Sequence, residues 1–319
     1  MTELYAALDL GGTKVRAIVA DLDGHVHGED IRPSRSGDGL DAVVGAMLDA
    51  LEAAQAEAGL ALSTIRGLGI ASPGAVDTTH GIVTSAPQLM GWNDVPLAKL
   101  MHQHLGIDTV LENDANAAAL GEFTFGAGRN TRHMIYLTIS TGLGGGIIID
   151  GKLYRGARGF AGEIGHAIID FNGKDCGFCG RGCLESLASG AAIARRAQAA
   201  MQDGEATILA TLTEREGHVT AELVARAARE GDEACRRIYV ETGHYLGVTL
   251  ANCVNIFNPE AIILGGGVTG AADLFLDETR RTMKRLAIQE PLKDARLALG
   301  ELGQLAGCLG MIALLREAG

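Results

Sequence analysis

Aromatic residues make up only 4% of this 319-residue sequence, with a single tryptophan, and prolines number six. Positive charge is scarce too: 27 Lys and Arg face 39 Asp and Glu, a formal net charge of −12. That balance argues against a nucleic acid or an anionic membrane as a general partner, because phosphate backbones are held by basic surface. An anion can still be held by backbone N–H groups, which need no net positive charge. No apolar run approaches bilayer-spanning length, and the opening MTELYAALDLGG enters a strand pattern with no basic region or cleavage-like site. The expectation is a cytoplasmic protein with no membrane partner. A G-x-x-x-x-G-K-[ST] motif is also missing, which excludes a P-loop nucleotide site.

Glycine, by contrast, is abundant. The 45 glycines follow no collagen-like period, so they point to tight turns and backbone-lined loops. With 47% hydrophobic residues the chain can bury one large core or two modest ones. A strand pattern over Leu4–Asp9 leads into Gly11-Gly12-Thr13, a β-rich run from Val15 to Val19 and an Asp23-Gly24 turn signal. The same order returns later: a strand from Ile135 to Ile139, the turn Ser140-Thr141-Gly142-Leu143-Gly144-Gly145-Gly146, a strand from Ile147, and Asp150-Gly151. Two such hairpins, each opening one half of the chain, suggest a duplicated α/β architecture with a cleft between the halves.

Glycine turns that follow strands expose N–H groups able to cradle phosphate oxygens, and the Thr13 and Thr141 hydroxyls add donors. For either loop alone a plain glycine hairpin is the alternative. Gly265, Gly267 and Gly270 spell G-x-G-x-x-G between a strand over Ala261–Leu264 and a helix over Leu274–Leu286. A dinucleotide fold needs an acid at the end of the next strand, and Glu290 instead lies just past a helix. The loop reads as a backing for adenosine, or else as a glycine-rich helix start. Periodicity further predicts helices at Asp41–Ala58, Leu97–Leu105, Leu187–Met201, Ala221–Glu230, Glu233–Asn255 and Leu305–Arg316, and strands at Ile65–Ala71 and Arg296–Leu299.

The strand Thr109–Leu111 opens into Glu112-Asn113-Asp114 ahead of an Ala-rich helix from Ala115 to Phe123. Active-site groups of α/β sheets collect at such strand ends, and Asp114 is the candidate base that accepts a hydroxyl proton in phosphoryl transfer. Capping the helix is the competing role, although Asn113 can cap while Asp114 serves chemistry.

The stretch Gly156–Glu185, GARGFAGEIGHAIIDFNGKDCGFCGRGCLE, concentrates carboxylates, an imidazole and three thiols. Cys176, Cys179 and Cys183 with His166 complete a Cys₃His set, the donor complement of a closed, tetrahedral, structural zinc. A redox C-x-x-C is the alternative, but it requires neither Cys183 nor His166. Cys235, Cys253 and Cys308 lie in helical or apolar surroundings and read as small core residues. Glu163 and Glu185 flank the metal loop. A neutral hexose is held by paired hydroxyl contacts to carboxylates and amides, so both suit a sugar, the alternative being helix-terminal acids.

Several further pieces fall in a telling order: DLGGTK (9–14), SPGAVD (72–77), GWNDVPL (91–97), ENDANAAALGE (112–122), STGLGGG (140–146), RGARGFAGEIGH (155–166), GCLES (182–186) and ILGGGV (263–268). With them the chain resembles the repressor–ORF–kinase (ROK) family of sugar kinases over essentially its whole length, and within it the bacterial glucokinases. The resemblance implies an α/β, two-domain actin-like (ribonuclease-H-like) fold with ATP and sugar in the interdomain cleft. The domains are expected at 1–118 plus 304–319, the smaller, and at 119–303, the larger, which carries the zinc loop.

The resemblance also implies Asp114 as general base. Asp9, Gly11, Gly12, Thr13, Lys14, Thr141 and Gly142 would surround the phosphates, with Asp9 steering Mg²⁺ and Gly266 and Gly267 near the adenosine. Gly74, Asn93, Asn113, Asp114, Glu163, His166 and Glu185 would surround the sugar. His166 would then give one ring nitrogen to zinc and the other to a sugar hydroxyl. A homodimer or homotetramer is expected, with the 6-hydroxyl of glucose as acceptor or, alternatively, N-acetylglucosamine, N-acetylmannosamine, mannose or fructose. The family also includes sugar-responsive regulators, which carry a helix-turn-helix domain ahead of the D-x-G-G-T strand; here eight residues precede Asp9. One departure stands out: the cysteines are spaced C-x₂-C-x₃-C where the family usually has C-x-C-x₄-C. The loop keeps its length while the middle thiol moves by one.

Overall fold

The computed structural model describes residues 3–59 and 64–318. The chain divides into two compact units, one of Met1–Arg132 with Gly146–Gly162 and Gly300–Gly319, the other of His133–Gly145 with Glu163–Leu299. The elements run β1 (Leu4–Leu10), β2 (Lys14–Asp21), β3 (Val26–Pro33), α1 (Leu40–Glu57), β4 (Ile65–Ser72), β5 (Ala75–Asp77), β6 (Ile82–Ser85), β7 (Asn93–Val95), α2 (Leu97–Leu105), β8 (Thr109–Asn113) and α3 (Asp114–Thr124). They continue with β9 (Met134–Ile139), β10 (Leu143–Ile149), β11 (Lys152–Leu153), α4 (Leu184–Ala188), α5 (Gly190–Gln202), α6 (Thr207–Glu216), α7 (Ala221–Arg229) and α8 (Glu233–Phe257). The last are β12 (Ala261–Gly265), α9 (Ala272–Leu286), α10 (Gln289–Leu292), β13 (Arg296–Leu299) and α11 (Ala306–Ala318).

The first sheet has the order β3-β2-β1-β4-β8. β1 and β2 form an antiparallel hairpin, whereas β1, β4 and β8 run parallel. Register pairs Asp9 with Ala71 and Ala71 with Glu112, so these residues come level across the three carboxyl ends. Side groups at that edge of a parallel sheet are the ones placed to meet ligands. The central strands β1 and β4 are mostly apolar because both faces are covered. On one face Val43, Met47, Ala50 and Leu51 of α1 pack with Leu8, Leu10, Leu68 and Ile70. On the other, Cys308, Leu309, Met311 and Ile312 of α11 pack with Ala7, Ile18, Ala71 and Ala117.

The other five-stranded sheet has the order β11-β10-β9-β12-β13, with β12 parallel to both β9 and β13. Strand for strand this is the order of the first sheet, so the repeated strand–glycine turn–strand pattern is a repeat of topology. In the second unit the long helix α8 packs on α9, where Tyr239 stacks on Phe275 with ring centroids 6.4 Å apart.

One sequence expectation needs correction. Leu187–Met201 is not one helix: α4 ends at Ala188, and Ser189, in extended conformation, caps α5 by accepting from Ala192 N at 3.2 Å. The serine hydroxyl offers the backbone a new helix start. The three-stranded sheet β5-β6-β7 and the helix α6 carry no strong periodic signal and were not anticipated. Among the described residues no helix is long and apolar enough to cross a membrane.

Candidate active site and metal centre

In the first unit the turn between β1 and β2 is closed by Gly11 N donating to Lys14 O at 2.8 Å, and Ser34 N ties to Thr13 O at 3.0 Å. Thr13 and Lys14 are exposed. Asp9 sits just before this turn, against α11, where a Cβ added at Gly307 would lie 2.6 Å from its Oδ2. Removal from water pushes the Asp9 carboxyl up to about 6, while Arg16 pulls it the other way.

Gly74 follows β4 with φ +84°, and a Cβ there would stand 2.2 Å from Ser85 O, so both space and backbone demand glycine. Its carbonyl accepts from Asn113 Nδ2 at 3.1 Å. Asn113 Oδ1 in turn accepts from Ala115 N at 3.0 Å and Asn116 N at 3.1 Å, which makes Asn113 the N-cap of α3. Asp114 is the first helical residue, and its Oδ1 accepts from Ala115 N at 2.8 Å. Asn93 is exposed on β7, opposite Ser85, and borders a cavity of about 210 Å³ lined also by Ala86, Met90 and Trp92.

The residues beneath this junction were not foreseen. Glu112 is buried, and its Oε1 accepts from Asn113 N at 3.0 Å and Asn116 Nδ2 at 3.1 Å. Its Oε2 accepts from Arg155 Nε at 2.7 Å. Arg155 lies 43 positions away, and no spacing rule links the two.

In the second unit the turn Ser140–Leu143 is held from several sides. Ser140 N donates to Gly142 O at 2.9 Å, while the carbonyls of Ser140 and Thr141 accept from Gly190 N at 2.8 Å and Ala191 N at 3.1 Å at the start of α5. Glu185 Oε2 accepts from Leu143 N at 2.8 Å, and a Cβ on Gly142 would come within 2.7 Å of that oxygen. Glu185 is therefore tied to the glycine turn as well as to the cysteine loop. Gly266, at φ +87°, passes so close to β9 that a Cβ would meet Ile139 O at 2.4 Å, and Gly267 is open on that side.

Glu163 precedes a 3-10 turn over Ile164–His166. The His166 ring presents Nδ1 to Cys176 Sγ at 3.8 Å and Nε2 to Glu163 Oε2 at 3.9 Å. The cysteine loop folds on backbone bonds, Cys176 N to Gly180 O at 2.6 Å and Gly182 N to Lys174 O at 2.8 Å. Gly182, at φ +70°, crosses Asp170 so closely that a Cβ would stand 1.6 Å from its carbonyl oxygen. One donor atom each from His166, Cys176, Cys179 and Cys183 lies within 4.8 Å of the others. Donors 2.0–2.3 Å from a tetrahedral zinc stand about 3.8 Å apart along an edge, so the set fits that ion with a slight contraction. Hydrogen bonds from Ser186 and His166 outweigh burial and hold the Cys183 thiol down at about 7, while burial and its neighbouring thiols push Cys179 up to about 12. A set of thiols and an imidazole of this kind binds a metal by releasing protons.

Residues 5–318 match the sequence model of the ROK family. The chain is 36% identical to a glucokinase of Streptomyces coelicolor over a 321-residue alignment that covers 98% of both proteins. It is 33% identical over 307 residues to a xylose repressor of Caldicellulosiruptor bescii, covering 96% of this chain and 76% of the repressor. Among solved structures, a ROK family glucokinase from Streptomyces griseus in complex with glucose and AMPPNP matches with a TM-score of 0.86 at 36% identity, over 98% of this chain and 99% of that one. The architecture is accordingly the actin-like α/β fold of these sugar kinases. On this match and these identities, the chain belongs to the ROK family.

Proposed function

We propose that this protein is an ATP-dependent hexose kinase that transfers the γ-phosphate to the 6-hydroxyl of glucose. The observation that carries the reading is the place of Asp114. Asn113 caps α3, and the carboxylate next to it, Asp114, stands at the carboxyl end of a parallel strand, where active-site groups of α/β sheets collect. In the proposed reaction the sugar oxygen bonds to the γ-phosphorus as the bridge to the β-phosphate breaks; ADP leaves with that electron pair, and Asp114 takes the hydroxyl proton.

The N–H groups of the turns at Gly11–Thr13 and Thr141–Gly142 would balance charge on the phosphates, with Lys14 alongside, and Gly266 and Gly267 would back the adenosine. Gly74, Asn93, Asn113, Glu163, His166 Nε2 and Glu185 would orient the sugar hydroxyls. Among the described residues the group of three or more His, Cys, Asp or Glu able to gather on a metal is the Cys₃His set. Asp9, just before the Gly11–Thr13 turn, would steer a Mg²⁺ held mainly by phosphate and water. Zinc on His166, Cys176, Cys179 and Cys183 would cross-link the loop structurally, holding His166 and the Glu185 backbone in place.

Replacing Asp114 with Asn tests the chemistry. We expect kcat to fall by about 10²–10⁴-fold in a folded protein. Near-normal turnover by Asp114→Asn would remove the base assignment. The similarity to a xylose repressor supports a second reading, a sugar-responsive regulator. A salt-sensitive DNA shift released by sugar would select it. Other hexoses, among them N-acetylglucosamine, N-acetylmannosamine, mannose and fructose, are the alternative acceptors for the kinase.

A further inference from the structure

We infer that Arg155 is a positioning residue for the proposed phosphoryl transfer, acting on Asn113 and Asp114 through the buried carboxylate of Glu112. The inference rests on the kinase reading above and names a residue that reading does not use.

Glu112 lies in β8 immediately before Asn113, and its side chain is 1% exposed. Burying a carboxylate that completely is costly unless donors fill its oxygens and an opposite charge faces it. The structure supplies both. Two neutral donors, Asn113 N and Asn116 Nδ2, converge on Oε1, and the Arg155 guanidinium takes Oε2 at 2.7 Å. The two neutral donors belong to the capping residue of α3 and to its first turn. Glu112 therefore holds the backbone N–H just before Asp114 and the Asn116 side chain just after it, and Arg155 is the charge set against its carboxylate.

Arg155 is itself fixed by its surroundings. Tyr154 N bonds to Ile147 O at 2.8 Å, and Ala161 N closes back on Arg155 O at 3.1 Å. Arg155 thus sits in a short braced segment that leads directly into Glu163, the first of the candidate sugar residues on the metal loop. One ion pair links the base of that segment to the strand that presents Asn113 and Asp114. A purely structural pair would affect melting alone; a positioning pair affects turnover of the folded enzyme.

The test is a double-mutant cycle on the full chain with Arg155→Met, Glu112→Gln and the double variant. Each is assayed with Mg-ATP and sugar well below its own melting temperature. Arg155→Met orphans a buried charge, and Glu112→Gln sets an amide N–H against the guanidinium. Each single change is expected to lower kcat by about 100-fold, the scale of an ångström-size misplacement. The ATP KM should stay within about threefold, because the glycine turns are untouched. The double variant has neither fault and should do no worse than the better single.

Arg155→Met with wild-type kcat, or a double variant whose loss is the product of the two single losses, would overturn the inference. So would losses that vanish on correction for the folded fraction. If Arg155→Met yields no folded protein, the double variant carries the test: folded and active supports the pair's role, and unfolded overturns it. If wild type turns over no hexose, the kinase reading has failed separately. Calorimetric titration with the sugar panel then decides, since weaker sugar binding in Arg155→Met, restored in the double variant, supports positioning through Asn113, and unchanged binding overturns it.

Discussion

Replacing Gly310 with alanine sets two known effects against each other in the same helix. In α11 a glycine-to-alanine change should gain about 1 kcal/mol from helix propensity. Against that, α11 crosses α3 with no room for a side chain. A Cβ at Gly310 would stand 1.7 Å from Ala117 O and 3.0 Å from Gly121 N, and one at Gly121 would stand 2.2 Å from Ala306 O. These are backbone atoms, so no rotamer can relieve the clash and the helices must part by roughly 1 Å or more.

Overpacking costs about 1–3 kcal/mol in ordinary core sites, and a backbone-on-backbone clash belongs at or above the top of that range. The net expectation is a destabilisation of about 2 kcal/mol, or a melting temperature lower by about 4–8 °C for a unit of this size. Because α3 begins with Asp114, turnover should fall as well. Gly45 in α1 is the control: a Cβ there meets nothing within 4 Å and its φ is ordinary. Gly45→Ala should raise stability by about 0.5–1 kcal/mol. Thermal and urea melts of the two variants read the difference. A Gly310→Ala protein as stable as wild type would refute the close-crossing argument.

Two further outcomes are expected. Purified protein should carry about one zinc per chain; chelation or Cys183→Ser should remove it, lower the melting temperature and raise the sugar KM, and zinc-free protein of unchanged stability would contradict the metal assignment. Asp9, with its folded-state pKa raised to about 6 from an ordinary value of 3.8, opposes folding when ionised. That penalty is absent below about pH 4, grows as pH rises to about 6 and is complete above it. Asp9→Asn should therefore melt higher than wild type at pH 7, with the gap closing near pH 4, while activity falls. A less stable Asp9→Asn at pH 7 would contradict the burial argument.

Local pattern carried much of the fold. The apolar run into Asp9, the Asn-Asp pair before an Ala-rich segment and the repeated glycine hairpin each rest on interactions between neighbours in sequence, and each appears where the pattern placed it. The four residues of the Cys₃His set come from within eighteen residues, so a loop with suitable glycines is enough to gather them. What stayed hidden depends on tertiary approach. Arg155 reaches Glu112 across 43 positions, and the Glu185 carboxylate reaches Leu143 N across 42. Neither contact follows from periodicity or composition. The strands β5–β7 were missed because three- and four-residue strands among glycines and prolines present no sustained alternation. The break at Ser189 was missed because a capping hydroxyl can interrupt an apolar helical pattern without disturbing its spacing.

The measurement that bears most directly on the central claim is a coupled assay of the purified full chain with Mg-ATP across a panel of hexoses. The account predicts ADP release that depends on sugar, strongest with glucose, with phosphate recovered on the 6-hydroxyl and lost in Asp114→Asn. Sugar that binds without any phosphoryl transfer, from glucose or any other hexose on the panel, would contradict it.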